Sequence, residues 1–335
     1  MTDEAFAQAS ANIALAKYWG KANVEQNLTA VPSLSLTLAG LNTVTHVAFD
    51  AKLTAHAVQL DGRAATDAET RRVVALLDAI RARSGRSDFA RVDSRNNFPT
   101  ASGLASSASG FAALALAASH AAGLSLAPEE VSAFARAASA SAARSVFGGW
   151  AMLEAGAASA ERVATADHLD VKMLVAVTDP GPKGTGSTQG MQHTAHTSPY
   201  YDAWLTHSRV LFEEIRTALL ARDLEAVGVA AEQSALMMHA CMLSARPALL
   251  YFRPATLGVL ERVRALRAAG GALYATMDAG PHVKLLCSSA DAEEFTTELK
   301  RVPGVTRVIA ASPGSDASLL DAAEGRRLLS GTNGP

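Results

Sequence analysis

The stretch from Phe98 to Ser109, which reads FPTASGLASSAS, is the most informative part of this 335-residue chain. It is a loop that begins with proline and runs into alanine- and leucine-rich sequence, which is typical of a helix. Gly103 lets the backbone approach a ligand closely, Ser106 and Ser107 offer hydroxyl groups, and the helix start offers free N–H groups and the positive end of its dipole. We therefore predict an anion site for nucleotide phosphates. The Lys-Ser/Thr pair of the Walker loop is absent, and an ordinary serine-capped helix would give the same local pattern.

The charge balance and cysteine content narrow the class of protein. The chain has 30 basic and 32 acidic residues and a formal net charge of −2, so we expect neither nucleic acid nor membrane as a partner. Cys241 and Cys287 lie far apart in apolar segments, which predicts a reducing compartment without a disulfide framework or metal cluster. The N-terminal segment lacks a signal-peptide pattern, and the most apolar run, residues 104–126, contains serines and His120. We expect a cytoplasmic protein.

The hydrophobic pattern predicts an α+β fold with two lobes, each with a mostly antiparallel sheet and clustered helices. Alternation in residues 31–61 predicts consecutive strands with turns at Leu41-Asn42 and Ala51-Lys52. Further strands are predicted at 172–178, 272–277, 282–287 and 305–310. Helices are predicted at 68–83, 103–122, from Pro128, and at 199–221, 223–242, 255–269 and 290–299. A boundary between the lobes falls near residue 180, and we expect the site in the cleft between them.

Five segments are unusually polar or glycine-rich for their apolar surroundings. Besides the loop at 98–109 they are Asn12–Lys21, Ser139–Gly149, Lys183–Met191 and Met277–Pro281. Taken singly, each has an ordinary explanation: Lys17 and Lys21 could form a solvated helix face, Arg144 could pair with a surface acid, and Asp278 could cap a turn. All five together, in this order, indicate a functional site.

These segments resemble the GHMP kinase superfamily and, within it, the ATP-dependent mevalonate diphosphate decarboxylases. Residues 12–21 are similar to that family's N-terminal signature, and residues 99–109 match its phosphate loop. Residues 139–149 resemble its Ser-x-Ser-x-x-Arg-Ser…Gly-Gly element, residues 187–191 its Ser-x-x-Gly-Met, and residues 277–284 its Asp-Ala-Gly-Pro turn. The similarity covers nearly the whole chain.

The resemblance implies a fold and a reaction. The fold would be the two-lobed GHMP-kinase-like fold, with a nucleotide-binding domain at 1–182, a decarboxylase-like domain at 183–324 and a frayed tail at 325–335. The reaction would convert mevalonate 5-diphosphate to isopentenyl diphosphate, using ATP and Mg²⁺ and releasing ADP, phosphate and CO₂. Phosphorylation of the 3-hydroxyl makes it a leaving group, so that the carboxylate's electrons can enter the new double bond. A homodimer is also implied.

The same matching implies roles for individual residues. Asp278 would act at the attacking hydroxyl as base or orienting group, Lys17 would lie beside it, and Arg144 would hold the substrate carboxylate. The other substrate-binding residues would be Tyr18, Lys21, Ser139, Ser141, Ser187, Thr188 and Met191. The nucleotide-binding residues would be Asn12, Pro99, Gly103, Leu104, Ala105, Ser106, Ser107 and Lys183, with Mg²⁺ near Ser107.

The sequence departs from the family pattern in a way that leaves alternatives open. Thr188 stands where some bacterial relatives carry an arginine that meets the diphosphate, so a mevalonate monophosphate decarboxylase is a close alternative. A GHMP-type mevalonate kinase without decarboxylation is a second, and a non-catalytic metabolite-binding protein is a third. His282 replaces a usual asparagine, and we expect it to satisfy a local hydrogen bond.

Overall fold

The computed structural model of the protein describes residues 3–98, 106–178 and 185–331. Its strands are β1 (Glu4–Ala16), β2 (Lys21–Asn23), β3 (Leu28–Thr29), β4 (Ser33–Asp50), β5 (Ala57–Leu60), β6 (Arg63–Ala64), β7 (Phe89–Asn96), β8 (Trp150–Leu153), β9 (Glu161–Ala164), β10 (Val171–Val177), β11 (Leu273–Met277), β12 (Val283–Ser288), β13 (Arg307–Ala311) and β14 (Ser318–Leu320). Its helices are α1 (Asp67–Ser84), α2 (Ser106–Ala121), α3 (Pro128–Ala138), α4 (Ser187–Thr197), α5 (Tyr201–Leu220), α6 (Leu224–Leu243), α7 (Pro254–Ala268), α8 (Ala292–Lys300) and α9 (Ala322–Leu329). A 3₁₀ helix spans Ala140–Val146.

The first sheet is built around the long antiparallel pair β1 and β4. Its order is β14-β1-β4-β7-β5-β6. Strand β8 pairs with the first half of β4, β9 pairs with β8, and all pairs are antiparallel except β5 with β7. Helix α2 packs on β1 and β4 through small side chains, and its alanines are buried nearly all round. This alanine-rich contact lets the helix lie close to the sheet.

The second sheet has the order β11-β12-β10-β13 and is antiparallel throughout. Helices α6, α7 and α8 cover it, and their apolar side chains close a separate core with Val259, Phe295 and Leu299. The mixed two-lobed α+β class predicted from the sequence is confirmed. The sheets do not divide the chain at one point, because β10 joins the second sheet while β14 and α9 return to the first. The functional division at residue 182 stays a prediction.

The structure corrects the predicted turn at Leu41-Asn42 and the predicted frayed C-terminal segment. The predicted turn at Leu41-Asn42 is absent, because β4 runs through it and pairs with β1 on both sides. Between the Ser10–Asn42 and Asn12–Thr37 pairs the ladder shifts register, so the extra residues form a bulge, and Gly40 takes a φ of 82° there. An irregular segment inside one strand therefore has the same sequence pattern as a turn that reverses the chain.

Residues 325–329 of the predicted frayed tail belong to helix α9. Asp321 caps α9 by accepting a hydrogen bond from the Glu324 amide, and Gly325 lies against the ring of Phe6. A Cβ at Gly325 would stand 2.4 Å from that ring, so the glycine serves close packing and not flexibility. Residues 332–335 lie outside the described part of the chain.

Helix α6 is long and apolar enough by composition to cross a membrane. The sequence had instead pointed to residues 104–126 as the segment most similar to a membrane span. More than half of the apolar window of α6 is buried inside the fold, where the helix packs on α5 and β11. Burial against both neighbours explains its hydropathy, as is usual for the core helix of a globular lobe.

Gly228 in α6 is a position where we expect one added methyl group to lower the stability of the protein. Its Cβ would stand 2.0 Å from Cγ of Tyr274, and this outweighs alanine's better helix propensity. Gly228→Ala should lower the free energy of unfolding by about 1–3 kcal/mol in urea titrations. Gly110→Ala, in α2 with no atom within 4 Å of its Cβ, is the matched control and should be neutral or stabilising. Equal destabilisation by both changes would contradict the packing argument.

Candidate active site

Asp278 lies at the centre of the site, in the turn between β11 and β12. Its Oδ1 accepts a hydrogen bond of 2.8 Å from Lys17 Nζ, and its Oδ2 lies 3.0 Å from Lys284 Nζ. The side chains of both lysines are at most 1% exposed, whereas that of Asp278 is 28% exposed. The carboxylate is therefore held from two sides by buried ammonium groups and keeps one open side.

The pKa values in this cluster follow from burial and from the three charges. Burial opposes ionisation of Asp278, but the charges and hydrogen bonds of Lys17 and Lys284 outweigh it and hold the pKa of this carboxyl well below its usual range. Burial lowers the pKa of Lys17 to about 8, although Asp278 opposes the shift. At neutral pH the cluster therefore holds an ionised Asp278 beside an ammonium group that titrates within reach of physiological pH.

Lys17 is fixed by the end of β1. Its Nζ donates to the Ala14 carbonyl at 2.7 Å, and its main-chain N–H donates to Ser234 Oγ of α6 at 3.0 Å. The side chain of Lys17 is thus tied to the end of its own strand, and its main chain is tied to α6 in the second lobe. The ordinary interpretation of Lys17 as part of a solvated helix face is wrong.

Arg144 is a buried cation whose hydrogen-bond partners are neutral. It lies in the 3₁₀ helix and donates from Nε to Ser35 Oγ at 2.9 Å and from Nη1 to Ser33 Oγ at 2.6 Å. Burial lowers its pKa to about 10, so it stays charged at neutral pH. Within residues 3–98, 106–178 and 185–331, no carboxylate lies in ion-pair contact with it. A buried charge without a counterion is costly, so an anionic ligand would complete this site.

Asn12 belongs to the support of Arg144. Its Oδ1 accepts from Arg144 Nη2 at 3.3 Å, and its Nδ2 donates to the Ser141 carbonyl at 3.0 Å and to Ser145 Oγ at 2.8 Å. Both amide hydrogens are therefore used within the protein. This geometry favours a positioning role for Asn12 over the nucleotide contact expected from the sequence.

The remaining residues expected to bind substrate lie around the same end of β1. The Tyr18 hydroxyl is buried and has no partner in the described part of the chain, and burial raises its pKa. Lys21 donates to Asn27 Oδ1 at 2.5 Å and is half-buried, and the Ser139 and Ser141 hydroxyls lie 3.3 Å apart at the 3₁₀ helix. Hydroxyls and a cation are the groups that a phosphate-bearing ligand requires.

Helix α4 is tied to this region through Trp19. Met191 packs in one apolar cluster with Trp19, and a Cβ at Gly190 would stand 3.0 Å from the Trp19 ring. Ser187 and Thr188 form the start of α4, which the sequence did not predict as a helix, and Thr188 is exposed. The close approach at Gly190 connects the start of α4 to the Lys17–Tyr18 segment.

On the side of the nucleotide, Ser106 and Ser107 form the start of α2, whose first turn carries no acidic residue. Both border a cavity of about 270 Å³ whose walls include Asn96, Arg72 and Phe111, with the Arg72 guanidinium 5.0 Å above the Phe111 ring. A cavity with polar and aromatic walls beside a helix start fits a nucleoside attached to phosphates. Pro99, Gly103, Leu104, Ala105 and Lys183 lie outside the described residues.

The donor set also indicates how a metal would be held. In the described ranges, no group of three histidine, cysteine, aspartate or glutamate side chains is placed to hold a metal ion. The exposed Ser107 hydroxyl at the start of α2 fits a single oxygen ligand to Mg²⁺, which keeps several waters and binds mainly through substrate phosphates.

Sequence reasoning missed several residues of the site. These are Lys284, which holds Asp278; Ser33 and Ser35, which hold Arg144; and Ser234 and His239 of α6. A lysine two residues into an apolar strand was the available signal for Lys284. The expectation for His282 is confirmed, because its Nδ1 accepts a hydrogen bond from the Thr178 amide at 3.2 Å.

Comparisons with known proteins agree with this geometry. Residues 9–164 match the family model described as the diphosphomevalonate decarboxylase-like N-terminal domain. Residues 173–321 match that of the mevalonate 5-diphosphate decarboxylase C-terminal domain. The two models together account for most of the chain.

Individual relatives are similar over most of their length. A diphosphomevalonate decarboxylase of Schizosaccharomyces pombe is 30% identical, over 96% of this chain and 88% of its own. A phosphomevalonate decarboxylase of Haloferax volcanii is 32% identical, over 76% of this chain and 78% of its own. The solved structure of MDDEF in complex with MVAPP, AMPPCP and magnesium superimposes with a TM-score of 0.88 at 37% identity, covering 95% of this chain and 98% of that one. The chain therefore belongs to the diphosphomevalonate decarboxylase family, a family of carboxy-lyases.

Proposed function

We propose that the protein catalyses the ATP-dependent decarboxylation of mevalonate 5-diphosphate to isopentenyl diphosphate in the mevalonate pathway, releasing ADP, phosphate and CO₂. The observation that carries the proposal is the buried Arg144. Its hydrogen-bond partners are neutral, so its positive charge can be compensated by the carboxylate of a bound substrate. Its charge also interacts with that of Asp278. A substrate carboxylate bound at Arg144 would thus lie near the carboxylate that faces the hydroxyl.

The reaction has a complete account in atoms and electrons. The 3-hydroxyl oxygen attacks the γ-phosphorus of ATP, ADP leaves, and the hydroxyl proton is released. The C3–O bond then breaks and its electron pair leaves with phosphate. The electrons of the bond between the carboxylate and C2 form the C2=C3 double bond, and CO₂ departs. Charge builds on phosphoryl oxygens and at C3, so the protein contributes mainly positioning and electrostatic stabilisation.

In this reaction Asp278 acts as an orienting carboxylate. With its pKa held well below the usual range by Lys17 and Lys284, it is a weak base but stays ionised and can accept a hydrogen bond from the 3-hydroxyl. In a loose phosphoryl-transfer transition state the hydroxyl loses its proton late, when the new P–O bond has made it acidic. A weak base is therefore sufficient. The ammonium group of Lys17 stabilises the developing phosphate charge.

The need to bind phosphate groups also assigns the residues at the two ends of the site, one for the substrate's phosphates and one for the nucleotide. Tyr18 and Lys21, with Ser139, Ser141 and the start of α4, contact the substrate's phosphates. Ser106 and Ser107 at the start of α2, with the loop before it and Lys183, contact the nucleotide, and Mg²⁺ bound near Ser107 neutralises phosphate charge. Thr188 is exposed and neutral, so the part of the site that would face the terminal phosphate carries less positive charge than it would with an arginine. This makes the monophosphate the second candidate substrate.

The pH dependence of kcat/KM tests the role of Lys17. Because the pKa of Lys17 is about 8 in the free enzyme, its charge is present below that pH and is lost as the pH rises through it. We expect kcat/KM to fall on the alkaline side near this pH. Lys17→Arg, which stays protonated, should lower activity but move this decrease to higher pH. A decrease at the same pH in the variant would assign the titration to another group.

We further propose a cytoplasmic homodimer. Val229, Leu236 and Leu243 are 50%, 40% and 41% exposed and recur every seven residues along one face of α6, a spacing suited to pairing with a second copy. Leu236→Glu should convert a dimer to a monomer in sedimentation equilibrium. A wild-type protein that is monomeric at micromolar concentration would contradict the proposal.

The proposed activity is tested by supplying mevalonate 5-phosphate and mevalonate 5-diphosphate side by side with ATP and Mg²⁺. We expect kcat/KM for the diphosphate to exceed that for the monophosphate by at least about tenfold, since the extra phosphate adds charge-assisted hydrogen bonds. The reverse preference would assign the protein to the monophosphate reaction. ADP formation without CO₂ from either substrate would assign it to the kinases.

A further inference from the structure

Helix α6 contacts both members of the Lys17–Asp278 pair through the main chain. Ser234 Oγ accepts from the Lys17 amide at 3.0 Å. One and a half turns later, His239 Nε2 lies 3.2 Å from the main-chain carbonyl oxygen of Asp278. One rigid helix thus spans the two segments that form the ion pair.

The ring of His239 is held in place from its other sides. It is 2% exposed, stacks on Phe252 with ring centroids 4.4 Å apart, and meets the Tyr251 ring edge-on at 6.5 Å. A carbonyl oxygen can only accept a hydrogen bond, so Nε2 carries the proton. Burial and the charge of Lys17 lower the pKa of His239 to about 3, against the contribution of Asp278, so the ring is a neutral donor.

The carbonyl that His239 contacts sets the direction of the turn. It also accepts a hydrogen bond of 2.7 Å from the Gly280 amide, so two donors fix the peptide plane that follows Asp278. Holding this carbonyl restrains ψ of Asp278 and the position of the main chain from which the carboxylate reaches Lys17 and Lys284 at once. A shift of the main chain at Asp278 would move the carboxylate relative to the two lysines.

We propose that His239 is a positioning residue: its Nε2–H hydrogen bond to the main-chain carbonyl of Asp278 orients the Asp278 carboxylate for phosphoryl transfer. This inference rests on the proposed function. His239 touches no reacting atom and makes no proton transfer. Its loss should therefore lower kcat with little change in KM, because substrate and nucleotide contacts remain.

Two substitutions separate positioning from packing. His239→Phe keeps an aromatic ring against Phe252 but removes the donor, and we expect kcat to fall about 10- to 100-fold with both KM values changed less than about threefold. His239→Gln places an amide N–H near the position of Nε2 and should recover most of the activity. His168→Phe is the matched control, since His168 makes the same kind of bond to the Leu219 carbonyl in another part of the fold, and its kcat should be unchanged. Wild-type kcat in folded His239→Phe, or equal losses in His239→Phe and His239→Gln, would overturn the proposal.

A readout on the wild-type protein covers the case in which His239→Phe fails to fold. In ¹⁵N-labelled histidine spectra, assigned by the loss of one signal in His239→Gln, the ring should remain the neutral Nε2–H form from about pH 6 to 9. A ring that titrates in this range, or an Nδ1–H form, would overturn the proposal. This spectrum does not depend on turnover, so it remains informative if the wild-type protein shows no decarboxylase activity and the proposed function fails.

Discussion

Asp278→Asn is expected to lower kcat by about 10³-fold or more while leaving the affinity for ATP nearly unchanged. The substitution keeps the size and shape of the side chain but removes the charge that holds Lys17 and Lys284. The 3-hydroxyl then loses its charged acceptor, and the pKa of Lys17 falls further because the Asp278 charge no longer opposes the effect of burial. Because the nucleotide is assigned to the start of α2, ATP binding measured by calorimetry should persist.

The comparison for this prediction is Asp202→Asn, an exposed position at the start of α5. It removes the same charge from the chain and should leave kcat and KM at wild-type values. Activity of Asp278→Asn within tenfold of the wild-type value would show that this carboxylate neither orients nor activates the hydroxyl. Loss of ATP binding would place Asp278 in the nucleotide site instead.

Arg144→Lys should lower kcat/KM by about 10³-fold, through both a higher KM and a lower kcat. The guanidinium spans Ser35, Ser33 and Asn12 with three different nitrogens. A lysine carries its charge at one atom and cannot present the planar pair of N–H groups that a carboxylate accepts. The substrate carboxylate is the group that leaves as CO₂. A weaker contact between it and residue 144 should therefore affect both binding and reaction.

The matched substitution is Arg86→Lys, where an arginine pairs with Asp88 and Asp3. Steady-state kinetics should not distinguish it from the wild type, since this partly buried arginine lies outside the residues assigned to the site. If Arg144→Lys raised KM alone at wild-type kcat, Arg144 would bind the substrate without contributing to decarboxylation.

The sequence predicted which residues form the site better than it predicted their burial and their hydrogen-bond partners. The polar segments around Lys17, Arg144 and Asp278 were recognised because charges are unusual in apolar surroundings. Their burial could not be read from spacing, since Lys17 sits at the end of a long central strand and not on a helix. Arg144 likewise is paired with buried serines instead of a surface acid.

Other features depended on contacts between distant segments. Lys284 looks like one polar residue in an apolar strand until the hairpin returns it to Asp278. His239 is equally inconspicuous within α6, because its role depends on a carbonyl 39 residues away. The bulge in β4 and helix α9 were misjudged because a glycine is a local signal of a turn or of flexibility. In the structure Gly40 supplies a positive φ inside a strand, and Gly325 allows close packing against Phe6.

In the proposed reaction one phosphoryl transfer is coupled to one loss of CO₂. The most direct measurement supplies mevalonate 5-diphosphate labelled with ¹⁴C at its carboxylate, together with ATP and Mg²⁺, and counts ADP, phosphate and labelled CO₂ in the same reaction. We expect equal amounts of the three products throughout the time course. ADP formed without labelled CO₂ would contradict this expectation.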